Sequence, residues 1–280
     1  MALVGILGAS GYLGNEVYLF LKKSDEHRVV GYSRGCVGFI GFDYCDLSEL
    51  EHLDIIINCA GPNSKQCEHD NQLAFDYYHA FQNKLLDHCL KHSITLITFS
   101  TVHVYRKTPI MINEDSETTG YSAYTRYRLN FEDRVNNLAN KDIILLRLGN
   151  CFGKSNSKSS ENETLFINSI AHALRRDKQF TVKSRIDFSR NYVPICYLLR
   201  VLLQLIDQGR SKRSIINVLG SGPLLASEII DKFHARYPSG SIEYQFDSQE
   251  KPMSFSNALC SNIVSYSENF FLEEMDRLLS

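Results

Sequence analysis

The sequence has 280 residues, of which 44% are hydrophobic and 22% are charged, and its formal net charge is −2 at pH 7. This composition is ordinary for a globular protein and gives no reason to expect nucleic acid or an anionic membrane as a partner. The length is enough for one large domain or for a domain with a smaller lobe.

The first half of the chain alternates short apolar runs with helical patterns. Strands are predicted over residues 2–9, 28–33, 54–61, 94–101 and 142–150. Helices are predicted over residues 15–24 and 71–92, and a further helix over 122–138. Strands that alternate with helices are typical of α/β proteins, so we predict a Rossmann-type doubly wound parallel sheet.

The pattern is looser in the second half. A polar stretch at residues 154–164 predicts a loop, and helices and strands alternate after it. The predicted helices cover 165–176, 196–206, 226–233 and 269–279, and the predicted strands cover 180–182 and 214–218. We therefore expect a dinucleotide-binding domain over residues 1–150 and a smaller α/β lobe over residues 151–280, interleaved with the sheet.

Eight cysteines occur, with no C-x-x-C pair among them. The N-terminal residues lack a basic region and a cleavable apolar region, and no run of about 18 uncharged apolar residues exists. These features predict reduced thiols and a cytoplasmic location. His88 and His92 have a spacing that can hold a metal, but no third ligand is evident nearby, so we expect no metal site.

Three glycines, Gly8, Gly11 and Gly14, lie between the first predicted strand and the first predicted helix. Glycine permits a tight turn, and the helix that follows offers free N–H groups and a positive dipole to a pyrophosphate. The spacing is G-x-x-G-x-x-G rather than the general G-x-G-x-x-G. The stretch predicts a phosphate-binding loop, and a merely tight turn is the alternative.

The residues at the end of the second strand bear on whether the cofactor is NAD or NADP. An acidic residue at this point would bind the adenosine ribose of NAD, whereas here Ser33 is followed by Arg34. Arginine can bind a 2′-phosphate that a carboxylate would repel, so the sequence favours NADP over NAD, and a solvated loop arginine is the alternative for Arg34. Asp46, further on, could contact the adenine or cap the helix that follows.

Tyr124 and Arg128 stand four residues apart in the stretch "YTRYR", within a predicted helix, and therefore share a helix face. Thr101 ends the strand that precedes this helix, in the stretch "STVHVY". A phenol beside a fixed positive charge could be a catalytic acid with its electrostatic partner, and two ordinary surface side chains are the alternative.

These motifs together resemble the extended type of the short-chain dehydrogenase/reductase superfamily, which includes nucleotide-sugar epimerases, dehydratases and ketoreductases. The resemblance runs nearly end to end. Its segments are "GASGYLG", "DIIINCAG", "STVHVY", the Tyr-x-x-x-basic helix, "LLRLGNCFG", "SRNYVPICYLL" and "INVLGSGPLLASEI". Phe152 replaces the tyrosine that this family has in the fifth of these segments.

The resemblance implies a role for individual residues. The catalytic residues would be Thr101, Tyr124 and Arg128, although the family has lysine where this chain has Arg128. Besides Tyr124 and Arg128, the cofactor-binding residues would be Gly8, Ser10, Gly11, Tyr12, Leu13, Gly14, Ser33, Arg34, Asp46, Leu47, Cys59, Ala60 and Gly61. The substrate-binding residues would be Thr101, His103, Asn150 and Arg190. Arg190 would hold a diphosphate, and a structural ion pair is the alternative.

The family's 4,6-dehydratases have an Asp-Glu pair directly after the catalytic threonine. Here Val102 and His103 occupy these positions, so dehydration is not expected. Exchangeable NADPH points to a net reduction, such as that of a 4-keto-6-deoxy nucleotide-sugar in surface-polysaccharide or deoxysugar biosynthesis. Two alternatives stay open: an epimerase with tightly bound NAD, and a catalytically silent NADP-binding regulator or scaffold. The resemblance also implies a homodimer through helices 71–92 and 122–138.

Overall fold

The computed structural model describes residues 1–35, 38–138, 142–156, 165–208 and 214–280. The predicted loop at 154–164 lies outside these ranges from residue 157 onward, and so does Cys36. The seven other cysteines are free thiols. None of the helices in the described ranges combines the length and the apolar character needed to cross a lipid bilayer.

Strands are numbered in chain order. They are β1 Leu3–Leu7, β2 Arg28–Ser33, β3 Ile40–Gly41, β4 Ile55–Asn58, β5 Thr95–Thr101, β6 Ile143–Leu148, β7 Asn150–Phe152, β8 Gln179–Thr181, β9 Ile186–Asp187, β10 Ser189–Pro194, β11 Ile215–Val218, β12 Pro223–Leu225, β13 Ser241–Glu243 and β14 Ser248–Gln249.

Helices are numbered in the same way. They are α1 Tyr12–Ser24, α2 Ser64–His69, α3 Asn71–Phe75, α4 Asn83–His92, α5 Ala123–Asn136, α6 Phe166–Asp177, α7 Ile195–Gln208, α8 Ala226–Arg236, α9 Ala258–Ser261 and α10 Glu268–Leu279. Short 3₁₀ helices cover Ser48–Leu50 and Val102–Val104, and a π-helical turn covers Asp76–Gln82 between α3 and α4.

The main sheet has seven strands within the described ranges, in the order β11-β6-β5-β4-β1-β2-β3, and all of its pairs are parallel. The chain moves outward from β1 through β2 and β3, and then returns to β4 and continues in the opposite direction. This reversal beside β1 is the topological switch point at which open α/β sheets bind ligands. The Rossmann-type doubly wound fold predicted from the alternation of elements is confirmed.

Both faces of the sheet are buried, which explains why its strands are apolar nearly throughout. In β4, Ile55 and Ile57 pack on one face with α1 and α7. Ile56 packs on the other face with α4 and α5, where Phe131 of α5 is buried. The alternation of side chains along each strand thus supplies two cores at once.

The second half of the chain adds a smaller core next to the sheet. Its helices α6, α8 and α10 pack together through buried residues such as Ile170, Phe233 and Phe271. Three strands in this part of the described chain form a sheet in the order β12-β10-β7. Because β7 follows directly after β6, the lobe is attached at the carboxyl edge of the main sheet.

The predicted helix 71–92 is not a uniform α-helix. The chain is helical throughout this range, but its middle is the π-helical turn Asp76–Gln82. Such turns are rare and occur frequently at functional sites. Helical periodicity in the sequence does not separate a π turn from an α turn, so the sequence did not predict it.

Candidate active site

The turn from β1 to α1 brings the backbone close to the neighbouring strand. Gly8 has φ +76°, and a Cβ added there would lie 2.8 Å from the nitrogen of Ala60. A Cβ added to Gly14 would lie 2.2 Å from the carbonyl oxygen of Gly8. Side chains are therefore excluded at both positions, and the first turn of α1 packs directly against the loop with its N–H groups unshielded.

A cavity of about 800 Å³ opens at this turn, and we call it the glycine-loop cavity. Of the residues predicted to bind cofactor, those that line it are Gly8, Ser10, Gly11, Tyr12, Leu13, Ser33, Arg34, Cys59, Ala60 and Gly61. Gly14, Asp46, Leu47, Tyr124 and Arg128 are not part of its lining. Gly14 acts through the close packing described above, and Leu47 is buried in the core.

One end of the glycine-loop cavity is positively charged. Arg34 follows β2 and lies over the ring of Tyr44, with its guanidinium carbon 5.5 Å from the ring centre. Lys84, at the start of α4, also lines this cavity and donates to the carbonyl of Cys45 at 2.5 Å. Asp76 also lines this cavity, and it is the acidic residue among the described lining residues. Its Oδ1 accepts a hydrogen bond from Gln72 Nε2 at 2.7 Å.

Asp46 takes the second of the two roles that the sequence left open. Its Oδ1 accepts from the backbone N–H of Ser48 at 2.9 Å, at the start of the short 3₁₀ helix. Hydrogen bonds to Ser48 also lower the pKa of this carboxyl group.

A second cavity of about 460 Å³ contains Tyr124, and we call it the Tyr124 cavity. His103, Asn150 and Arg190, all predicted to bind substrate, line it together with Tyr124. Thr101 is only 6% exposed and is not part of the lining. The two cavities are close neighbours, because Gly61 and Pro62 line the first and Ser64 lines the second.

Tyr124 occupies the first turn of α5, where a capping box fixes the helix. The Ser122 hydroxyl accepts from the N–H of Thr125 at 3.2 Å, and the Thr125 hydroxyl accepts from the N–H of Ser122 at 3.0 Å. At the end of β5, the Thr101 hydroxyl accepts from the N–H of His103 at 3.2 Å, and its own O–H has no acceptor among the residues that the structure describes.

Arg128 lies one turn beyond Tyr124 on the same face of α5. Its guanidinium carbon is 5.1 Å from the centre of the Tyr124 ring, and Nη1 donates to the carbonyl of Phe99. Its Nε is buried and has no acceptor among the residues that the structure describes. Burial lowers the pKa of this guanidinium, but the nearby phenols of Tyr124, Tyr78 and Tyr77 outweigh burial and raise it, so Arg128 keeps its charge.

A buried polar network fixes β5, β6 and α5 beneath this site. Glu132 accepts from the Ser100 hydroxyl at 2.5 Å and pairs with Arg147, whose Nη2 is also 2.5 Å away. Arg147 Nη1 donates to the Tyr105 hydroxyl at 2.7 Å, and that hydroxyl donates to Asn217 at the same distance. Each charged member thus has partners in the interior, where an unpaired charge is very costly.

Charged groups meet at the far side of the Tyr124 cavity. Arg190 Nη1 lies 2.7 Å from Glu250 Oε2, and Lys107 Nζ lies 3.1 Å from Glu250 Oε1. Arg190 therefore forms the ion pair that was the alternative prediction, while it also lines the cavity. Lys251 adds a third cation to this wall.

The imidazole of His103 faces the same cations. Loss of hydration in the cavity lowers its pKa, and Arg190 and Lys107 lower it further, whereas a hydrogen bond with Asn150 and the charge of Glu250 oppose this in part. The net shift is downward, so His103 is neutral at pH 7.

The residues around the glycine-loop cavity fit a nicotinamide dinucleotide. The glycine turn leaves room for a pyrophosphate at the start of α1. Arg128 lies outside the lining of this cavity, but its buried Nε is a donor that no described residue satisfies, and a buried donor is costly to leave unpaired. Ribose hydroxyls are acceptors of the required kind.

Sequence reasoning missed several residues that line the cavities. Tyr77, Phe81 and Lys84 all line the glycine-loop cavity, and their spacing of four and three residues on one helical segment was a signal that could have revealed them. Glu250 and Lys251 lie more than 120 residues from Tyr124 in the sequence, and no local pattern marked them.

The described ranges contain one group of side chains with the proximity that a metal site needs, namely Glu26, His27 and Asp207. His27 already uses both ring nitrogens, because Nδ1 accepts from the N–H of Ala2 at 3.2 Å and Nε2 lies 2.9 Å from Asp207 Oδ1. We assign no metal to it.

The sequence matches the family model described as "NAD dependent epimerase/dehydratase family" over residues 4–218. This match covers most of the chain. It agrees with the fold and the glycine turn, which are those of a dinucleotide-binding α/β protein. The chain belongs to the NAD-dependent epimerase/dehydratase family. A comparison with curated proteins gave no match.

Solved structures of this family share the fold over nearly the full chain. UDP-glucuronic acid 4-epimerase from Bacillus cereus, in complex with UDP-glucuronic acid and NAD, is 18% identical, with a TM-score of 0.78 and coverage of 99% of this chain and 98% of that chain. An NAD-dependent NDP-hexosamine 5,6-dehydratase of tunicamycin biosynthesis is 17% identical, with a TM-score of 0.81 and coverage of 100% and 97%. UDP-glucose-4-epimerase from Stenotrophomonas maltophila, with bound NAD and formylated UDP-arabinopyranose, is 16% identical, with a TM-score of 0.82 and coverage of 99% and 98%.

Proposed function

We propose that the protein is an NADPH-dependent reductase of a keto-nucleotide-sugar, such as a 4-keto-6-deoxy sugar, in surface-polysaccharide or deoxysugar biosynthesis. The observation that carries the proposal is the pair of cations, Arg34 and Lys84, that lines the glycine-loop cavity where β2 ends with Ser33 instead of an acid. Two cations favour the 2′-phosphate that distinguishes NADPH from NADH. NADPH is exchangeable in most reductases, and net reduction requires an exchangeable cofactor.

The cofactor would be held by the glycine turn and by Arg34, Lys84 and Arg128, and when bound it supplies the hydride. Tyr124 donates the proton that the substrate oxygen needs. Thr101 supplies a free O–H beside the start of α5, and it orients the same oxygen when the neighbouring side chains admit the sugar. Arg128 maintains a positive charge beside Tyr124 through the reaction.

Residues 151–280 contribute the substrate-binding lobe in this proposal. Arg190 and Lys251, with Lys107 from the first half, would hold the diphosphate of the nucleotide. Glu250 shares two of these cations and must share or release them when the diphosphate binds. Asn150 and His103 would contact the sugar side of the ligand, where neutral hydrogen-bonding groups suit hydroxyls.

The test is to incubate the protein with NADPH and a panel of keto-sugar nucleotides and to follow the nicotinamide absorbance. Turnover is expected with at least one of them, and the Tyr124→Phe variant should lower kcat by about 10²–10⁴ because the general acid is lost. Absence of turnover on the whole panel would count against a reductase.

A nucleotide-sugar epimerase is the second candidate. Solved relatives with this fold carry NAD, and two of the three described above are 4-epimerases. The two candidates differ in the retained cofactor: an epimerase holds stoichiometric NAD through purification. Denaturing the purified protein and identifying the released nucleotide separates them, because a reductase of exchangeable NADPH releases little or none.

The proposal includes a cytoplasmic homodimer that is formed through helices 71–92 and 122–138. An open groove of about 620 Å³ runs along α5 and is lined by Ala123, Tyr127, Asn130 and neighbouring residues. Light scattering should give twice the mass of the chain. Asn130→Arg should shift the mass toward one chain, while Asn269→Arg on the exposed face of α10 should leave it unchanged.

A further inference from the structure

The π-helical turn Asp76–Gln82 presents two consecutive tyrosines to the site. Tyr77 donates to the carbonyl of Ala60 at 2.5 Å and accepts from Asn58 Nδ2 at 3.0 Å. Its ring also packs on Gly61, where an added Cβ would lie 3.0 Å from the ring. Tyr77 therefore supports the wall of the glycine-loop cavity.

Tyr78, the next residue, turns toward α5 and is 3% exposed. Its ring stacks on the ring of Tyr127, with 5.4 Å between centres and an interplanar angle of 11°. Its hydroxyl donates to the carbonyl of Pro62 at 3.4 Å. Tyr78 is held by contacts from two directions and cannot turn away without breaking them.

The guanidinium carbon of Arg128 lies 5.0 Å from the centre of this Tyr78 ring and 5.1 Å from that of Tyr124. Arginine has a long side chain with many rotamers, so its charge is not confined by α5 alone. Aromatic faces attract cations, and the attraction grows when water is excluded. The described contacts that confine the guanidinium are the Phe99 carbonyl, a hydrogen bond with Tyr124, and the faces of the two rings.

We propose that Tyr78 is a positioning residue of the active site, whose ring holds the Arg128 guanidinium against the Tyr124 ring. The proposal rests on the proposed function in its claim that the positioned Arg128 assists proton donation by Tyr124. Both tyrosines lie in the π-helical turn, where Tyr77 contacts the wall of the glycine-loop cavity and its neighbour Tyr78 contacts the guanidinium of Arg128. An arginine in place of lysine thus has its own supporting side chain in this protein.

The first test needs no substrate. Nitrogen-15 NMR detects the Nε–H of arginine, and the signal of Arg128 is the one that the Arg128→Lys variant lacks. Tyr78→Leu should speed the solvent exchange of this proton by about tenfold or more, because one aromatic wall is removed. Tyr78→Phe retains the ring and should keep the exchange rate within about twofold of the parent value.

The second test uses turnover and separates positioning from stability. Tyr78→Leu should lower kcat by about tenfold or more with a KM change of less than about threefold, and Tyr78→Phe should restore kcat. Phe131→Leu is the matched control: it removes a buried ring from α5 that packs in the core, so it should lower Tm but leave kcat and the Arg128 signal near the parent values.

Two results would overturn the proposal. One is a Tyr78→Leu variant in which the Nε–H exchange of Arg128 is unchanged. The other is a Tyr78→Phe variant that loses as much as Tyr78→Leu, which would assign the effect to the hydroxyl. If the parent turns over no substrate, the proposed function fails, and the NMR result alone still decides whether Tyr78 holds Arg128.

Discussion

The Arg128 guanidinium lies 5.1 Å from the centre of the Tyr124 ring, one turn further along the same face of α5. The capping box at Ser122 fixes the start of that helix, and the guanidinium lies between the rings of Tyr78 and Tyr124. The resemblance described above implies lysine at this position, and lysine is shorter and has no planar face to stack on two rings. The following predictions concern this pair and the charged groups around it.

Arg128→Lys should lower kcat by about tenfold to a hundredfold, because lysine cannot reproduce the planar contacts with both rings and the hydrogen bond to Phe99. Cofactor binding should persist, which fluorescence titration with NADPH can check. Arg28→Lys, at the exposed start of β2, is the control and should leave kcat unchanged. A parent protein that binds NADPH but shows no turnover, before and after the Arg128 change, would support the silent scaffold instead.

Arg34→Ala and Lys84→Ala should each raise the Kd of NADPH about tenfold, since each removes a charge-assisted contact to a 2′-phosphate. The Kd of NADH should change by less than about twofold, because NADH has no such phosphate. Calorimetry measures both constants. Arg28→Ala removes an exposed cation from the opposite end of β2 and should change neither. Equal losses for NADH and NADPH would contradict a 2′-phosphate site.

Glu132→Ala should lower the free energy of unfolding by about 3–5 kcal/mol, because it leaves the buried Arg147 charge without its carboxylate. Glu117→Ala breaks the exposed pair with Arg106 and should cost at most about 1 kcal/mol. Equilibrium unfolding in urea gives both values. Similar losses for the two variants would show that burial of the Arg147–Glu132 pair does not set its contribution.

The lowered pKa of His103 predicts a pH dependence of stability. The folded protein disfavours the protonated imidazole, so below the ordinary histidine value of 6.5 the unfolded chain binds more protons than the folded one. The free energy of unfolding should therefore fall as the pH decreases from 6.5 toward the folded-state pKa. His103→Asn should reduce this slope, whereas an equal slope in both proteins would place the acid sensitivity elsewhere. Thermal unfolding across pH 5 to 8 is the measurement.

The predictions for the cofactor side depend on local signals. The turn with Gly8, Gly11 and Gly14 joins a strand to a helix within a few residues, and backbone sterics alone restrict what can stand there. Ser33 and Arg34 line the cavity at that turn because Ser33 ends a strand that pairs with β1 and Arg34 follows it. Asp46 was left with two roles, and the structure shows it at the start of a 3₁₀ helix.

The substrate side was less accessible to sequence reasoning. Arg190 was recognised through a motif, but its partner Glu250 lies 60 residues further on and no periodic pattern connects the two. Thr101 was placed by motif in the site, and its burial behind the cavity lining depends on how β5 packs. Such contacts are made by segments that are distant in sequence, and no local preference encodes them.

The sequence by itself determined the type of fold and the positions of the glycine turn and of the Tyr124–Arg128 pair, because strand alternation, glycine sterics and helix periodicity are all short-range properties. Only the tertiary structure decided which residues surround that pair. The π-helical turn brings Tyr78 to Arg128, and the ion pair with Glu250 sets the charge around Arg190. These arrangements depend on packing between segments that are far apart in the chain. The burial of apolar surface stabilises such packing, and it does not depend on how close the residues are in sequence.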